Sequence, residues 1–142
     1  MKRSQKGSGL IEGVVGLMLV IGSTILAALL LLNSGMSILF DNKLLLVAGQ
    51  AARYAVAHQL DENVEAETQT FVQSLMPTLG LTPNNLIVTT TPNAICGAQG
   101  MQVTVSNQFI VVGAAAIPGV FPSQIRLADT EFAGCTIAGK SQ

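Results

Sequence analysis

From Gly13 to Leu32 the chain reads GVVGLMLVIGSTILAALLLL, twenty residues without a single charge. Twenty helical residues rise ~30 Å, the thickness of a bilayer's hydrocarbon core. No water reaches the backbone inside that layer, so a lone span has to be a helix that satisfies its own amides. This run constrains the rest of the molecule more than any other feature. It makes the chain a membrane-anchored one, with the span at about 13–34.

The flanks set the orientation. Lys2, Arg3 and Lys6 precede the run with no acid before Glu12, whereas Asp41 and Lys43 offset each other beyond it. Basic residues stay on the cytoplasmic side, so the N-terminus is expected inside and the hundred or so residues after the span outside. An ordinary secretory signal fits less well. Its apolar stretch normally runs 7–15 residues, and Gly35-Met36-Ser37 makes a poor small-x-small cleavage site. Net charge is −1, and Lys43, Arg53, Arg126 and Lys140 are scattered, so nothing forms a nucleic-acid footprint.

One acid stands at the mouth of the span. A charge within hydrocarbon costs ~2.5–3.5 kcal/mol on the insertion scale, and such residues are usually paired and functional. Glu12 therefore calls for a cationic partner, unless it sits at headgroup level where burial costs little.

The segment Lys6-Gly7-Ser8-Gly9-Leu10-Ile11-Glu12 supplies a candidate partner, because it resembles the cleavage site of type IV prepilins and their relatives. A short basic leader, a glycine, a glutamate five residues on and an uninterrupted apolar run occur together. Three further stretches look like the TadE-like pseudopilins of tight-adherence (Flp) pili: the start SGLIE, NKLLLVAGQAARYAVAHQL at 42–60 and VTVSNQF at Val103–Phe109. The resemblance covers most of the chain and is sharpest at the cleavage site. The family usually carries Phe after the glutamate and a proline soon after, where this chain has Gly13 and, near Met18, no proline.

The resemblance implies cleavage after Gly7 by a prepilin peptidase, with Ser8 first and Glu12 fifth in the mature chain, and methylation of the processed protein. It implies that Glu12 meets the Ser8 amine of a neighbouring subunit, although Ser8 and Glu12, four apart, are also placed to pair within one helix. The partners it implies are other pilin or pseudopilin subunits, the peptidase, an inner-membrane assembly platform and membrane lipid. The location is the bacterial inner membrane, single-pass, with a periplasmic or extracellular C-terminal part, or a pilus.

Gly9, Gly13, Gly16, Val20, Ser23 and Ala27 recur at alternating spacings of four and three, one face of a helix. Small residues let helix backbones approach closely in lipid, so this face is expected to pack against other helices.

The fold expected is α+β: a leader at 1–7, a helix over 8–60, and an extracytoplasmic domain over 61–142. Asp61 is expected to cap a second helix whose apolar face is Val64, Phe71, Val72, Leu75 and Leu79. Pro77 should end or kink it near Met76, and Gly80 should stop it. Strands are expected at 85–91, 101–108 and 124–132, forming an antiparallel sheet, with Met101, Val103 and Val105 buried. The apolar stretch 109–122 is too short and too broken by Gly113, Pro118 and Pro122 to span, and reads as a buried loop or a contact surface.

Cys96 and Cys135 both fall outside the membrane in this topology, which argues for one disulfide between them. With one histidine, His58, and no cysteine pair at ligand spacing, neither a metal site nor a general-base network is expected. GCTIAGKS, Gly134–Ser141, matches the phosphate-loop pattern, but that chemistry needs a following helix and only Gln142 follows, so nucleotide binding is not expected. The favoured function is a pilin-like structural subunit without cofactor or catalysis. The alternative is a single-span anchored binding or scaffolding module, which would need neither Gly7 nor Glu12 in register.

Overall fold

A computed structural model of the chain describes residues 6–60, 62–92, 100–113, 119 and 121–135. Helix α1 (Lys6–Ala57) is followed by helix α2 (Val64–Leu75), a 3₁₀ turn (Met76–Leu79), and strands β1 (Ile87–Thr91), β2 (Met101–Ile110) and β3 (Gln124–Ala133). The class is α+β as expected: a long apolar N-terminal helix, a small helix and a three-stranded antiparallel sheet. The chain divides into two compact units, Met1–Met36 and Ser37–Gln142, and α1 contributes to both.

In the first unit α1 is long and apolar enough to cross a membrane. Its large apolar side chains, among them Leu17, Met18, Leu19 and Val20, are exposed. Its hydroxyls bond within the helix: Ser23 Oγ and Thr24 Oγ1 donate to Val20 O at 2.9 and 2.8 Å, and Ser34 Oγ donates to Leu30 O at 2.8 Å. Such back-bonding satisfies the donors of these three hydroxyls without water, which suits an apolar medium.

In the second unit the rest of α1 forms the floor of the core. Leu44, Val47, Ala48, Ala51, Ala52 and Ala55 recur at helical spacing and are all buried. They cluster with Val64, Val72 and Met76, with Val88 of β1, and with Met101, Val103, Val105 and Phe109 of β2. Alanines on α1 bring the helix axis close to the neighbouring elements, while larger side chains opposite fill the space. Phe40 stacks on Phe109 with ring centroids 4.4 Å apart.

β2 is the central strand, antiparallel to β1 through Val88↔Val105 and to β3 through Val105↔Asp129. Its buried positions alternate through Met101, Val103 and Val105, as the sequence predicts. The opposite face is polar, and Thr104 and Thr130 share a hydroxyl hydrogen bond of 2.8 Å across it.

The start of α2 differs from expectation. Asn63 is the N-cap, its Oδ1 accepting from Ala66 N at 3.2 Å, and Asp61 lies outside the described residues. Asn63 sits three residues before the amide it caps, the spacing that the first turn requires. At the other end Pro77 does close the α-helix near Met76. The chain then tightens into the 3₁₀ turn and stops at Gly80, whose φ of 69° is left-handed. Lys43 Nζ reaches from α1 to donate to Leu79 O at 2.8 Å, satisfying a carbonyl that the helix end leaves open.

Candidate functional site

The residues singled out for processing and assembly lie on the N-terminal part of α1. Gly7 and Ser8 fall in its first turn, and Glu12 follows Ser8 by four residues, one helical turn. Glu12, Gly13, Gly16, Ser23 and Ala27 are exposed, as is Gly9. A Cβ built on Gly9, Gly13 or Gly16 would meet nothing within 4 Å. The small-residue face is therefore open, with room for a helix to approach. Ser23 is already bonded to Val20 O and presents no unsatisfied donor to that face.

The disulfide prediction falls partly on undescribed residues. Cys135, just past β3, is disulfide-bonded, and Cys96 lies outside the described residues. Close by, Gly100 has φ 95°, and a Cβ there would stand 2.6 Å from Ala133 O. Only glycine fits so tight an approach between the start of β2 and the end of β3.

Among the polar groups of the second unit, Asn107 and Asp129 escaped the sequence reading. Asn107 is fully buried on β2: its Oδ1 accepts from Asn84 N at 2.8 Å, and its Nδ2 donates to Thr82 O at 3.2 Å. It pins the loop before β1 to the sheet. Asp129 on β3 has an ionisation pushed up from 3.8, first by burial and then by the charges of Asp41 and Glu131. Its Oδ2 is shielded and accepts no hydrogen bond among the described residues. The signal for both was strand parity, which puts 107 with 103 and 105, and 129 with 127, on the inward face.

Among the described residues no three metal-binding side chains converge. His58 Nδ1 lies 3.0 Å from Tyr54 O, and its ring stacks on Tyr54, which in turn stacks on Phe71. That ring stack joins the end of α1 to α2. An open groove of about 430 Å³ beside it is lined by Tyr54, Ala66, Glu67, Thr70, Phe71 and Ser74. Thr70 and Ser74 donate their hydroxyl protons to backbone carbonyls of α2.

No family model matches this chain, and no curated protein or solved structure does either. What the molecule itself defines is an α+β protein whose long N-terminal helix is apolar enough to span a membrane and also supplies one side of the second unit's core.

Proposed function

We propose that the chain is a pilin-like (pseudopilin) structural subunit of the TadE-like kind. In this reading a prepilin peptidase cuts it after Gly7, α1 holds it in the inner membrane with its N-terminus cytoplasmic, and it is assembled into, or initiates, a pilus or pseudopilus for adhesion or secretion. The observation that carries the reading is α1 itself. One helix runs from Lys6 to Ala57, bears Glu12 exposed one turn past Ser8, and ends within the core of an α+β unit. Its partners would be further subunits of this kind, the peptidase and an inner-membrane platform.

The chemistry follows from the cut. Water adds across the Gly7–Ser8 peptide bond, leaving a carboxylate on Gly7 and an ammonium on Ser8. A new cation thus arises one turn from Glu12, at the edge of the apolar run. A carboxylate carried into an apolar environment is tolerable when an opposite charge meets it. If the amine belongs to a neighbour, the pair fixes an axial offset of four residues, ~6 Å, between subunits.

Glu12→Gln tests this, because it keeps the shape and removes the charge. The variant should insert, be cleaved and form its disulfide, yet fail or falter in sheared-fibre and pull-down assays. Glu12→Asp should fall between. Normal assembly by Glu12→Gln would demote the carboxylate to an interfacial passenger and favour the anchored-module reading.

A further inference from the structure

Beyond its buried face, the outer part of α1 carries a second apolar face that nothing in the second unit covers. Ile38 is 64 % exposed, Leu39 47 %, Leu45 42 % and Leu46 59 %. The opposite side of the same helical stretch, from Leu44 to Ala55, is wholly buried. A helix at the surface of a domain normally turns a polar face outward. This one turns Ile38, Leu39, Leu45 and Leu46 outward among the polar Asp41, Asn42, Gln50 and Arg53.

Lipid does not account for Leu45 and Leu46, although Ile38 and Leu39 lie at headgroup depth. Leu45 is thirteen residues past Leu32, the end of the apolar run, and helix rise makes that ~20 Å. The headgroup layer beyond the hydrocarbon is only about 5–8 Å deep on each side. Protein has to cover these leucines.

The spacing says what kind of protein. Ile38, Asn42, Leu45 and Gly49 are separated by four, three and four residues, the seam of a left-handed helix pair, with Leu39 and Leu46 flanking it. Asn42, Leu45 and Ile38 are exposed and Gly49 is partly so. A single asparagine in such a seam bonds its counterpart across the pair and fixes parallel, in-register alignment. Its only polar seam position is thus self-complementary, and no charge lies in the seam to repel a copy of itself.

We infer that the outer segment of α1, along Ile38, Asn42, Leu45 and Gly49, docks against the same segment of a second copy of this chain, parallel and in register. The pairing rests on the membrane-anchored topology proposed above, since a shared membrane makes the two helices parallel. It differs from the Glu12 contact, which offsets neighbours by four residues. The in-register pair is the form the subunit takes in the membrane before assembly.

The area agrees. The four exposed side chains offer roughly 400 Å² of apolar surface per copy, the size of a functional patch. Pairing removes about 800 Å² in total, short of the 1,200–2,000 Å² of complexes between freely diffusing proteins. Two anchored copies have already lost most of the freedom that such complexes must give up, so the smaller area suffices.

The test is cysteine cross-linking of the full chain in membranes, oxidised with copper phenanthroline. Cys135 is disulfide-bonded, so an added cysteine supplies the reactive thiol. Ile38→Cys and Leu45→Cys, both at exposed positions, should each give a disulfide-linked dimer. Gln50→Cys, exposed on α1 but off the seam, should give none. Asn42→Leu should keep the pairing and loosen its alignment, so that mixed 38–45 links appear. Equal cross-linking at Gln50 and Leu45, or none at both Ile38 and Leu45, overturns the pairing. Protein trimmed to Ser8 that gives no Leu45→Cys dimer refutes the pairing and leaves the pilin reading. Protein that keeps Met1 yet forms the dimer does the reverse.

Discussion

Replacing Asn107 tests the second unit most sharply, because the side chain has no solvent exposure and two backbone groups depend on it. Its Oδ1 takes the Asn84 amide at 2.8 Å, and its Nδ2 serves the Thr82 carbonyl at 3.2 Å. Asn107→Ala removes both bonds and leaves a donor on half-buried Asn84 and an acceptor on Thr82, an exposed residue. Orphaning a buried group costs about 1–3 kcal/mol, so a combined loss of about 2–4 kcal/mol is expected. For a unit of this size that lowers the melting temperature by roughly 10 °C or more. Asn107→Leu fills the space but leaves the same two groups unpaired, so it should also destabilise. Thermal and urea unfolding of the full chain in detergent, followed by circular dichroism, measures both. Wild-type stability of Asn107→Leu would mean that water serves the loop and that the buried amide does not hold it.

Gly100→Ala should destabilise by about 1–3 kcal/mol in the same melts, because a Cβ would stand 2.6 Å from Ala133 O at a left-handed φ; an unchanged melt would refute the close approach. Asp129, raised above 3.8, binds its proton more tightly in the folded state. The stabilisation from that proton is present below 3.8 and is lost as pH rises through the folded value. Asp129→Asn should therefore exceed wild-type stability at pH 7 by a margin that shrinks towards pH 4, and a variant weaker than wild type at pH 7 would contradict this. Non-reducing peptide mapping should link Cys135 to Cys96, and Cys135→Ser should cost about 2–4 kcal/mol; two alkylatable thiols in the native protein would overturn both.

Much of the fold was legible because its signals are local. The proline at 77 and glycine at 80 act on their own backbone, and both mark the end of the second helix as the sequence predicts. Alternation through Met101, Val103 and Val105 located β2, which extends two residues beyond its expected end, to Ile110. β3, whose exposed and half-buried positions alternate, needed only one more residue than expected. What stayed hidden depends on partners distant in sequence. Asn107 looked like one more polar residue until Thr82 and Asn84 came beside it. The cap fell to Asn63, because several acids and amides cluster before α2 and only geometry chooses among them. On α1 the inward face was obscured, since leucine and alanine occupy both sides of the helix around Leu44–Leu46. The assembly residues were named on the resemblance to prepilins; the helix carries Ser8 and Glu12 one turn apart.

The mature N-terminus tests the central claim most directly. Intact-mass measurement of the protein taken from the membranes of its own cells should give a chain that begins at Ser8 and keeps the whole of the Gly13–Leu32 run. A mass that begins at Met1, or one that lacks the apolar run, would contradict the pilin-like reading.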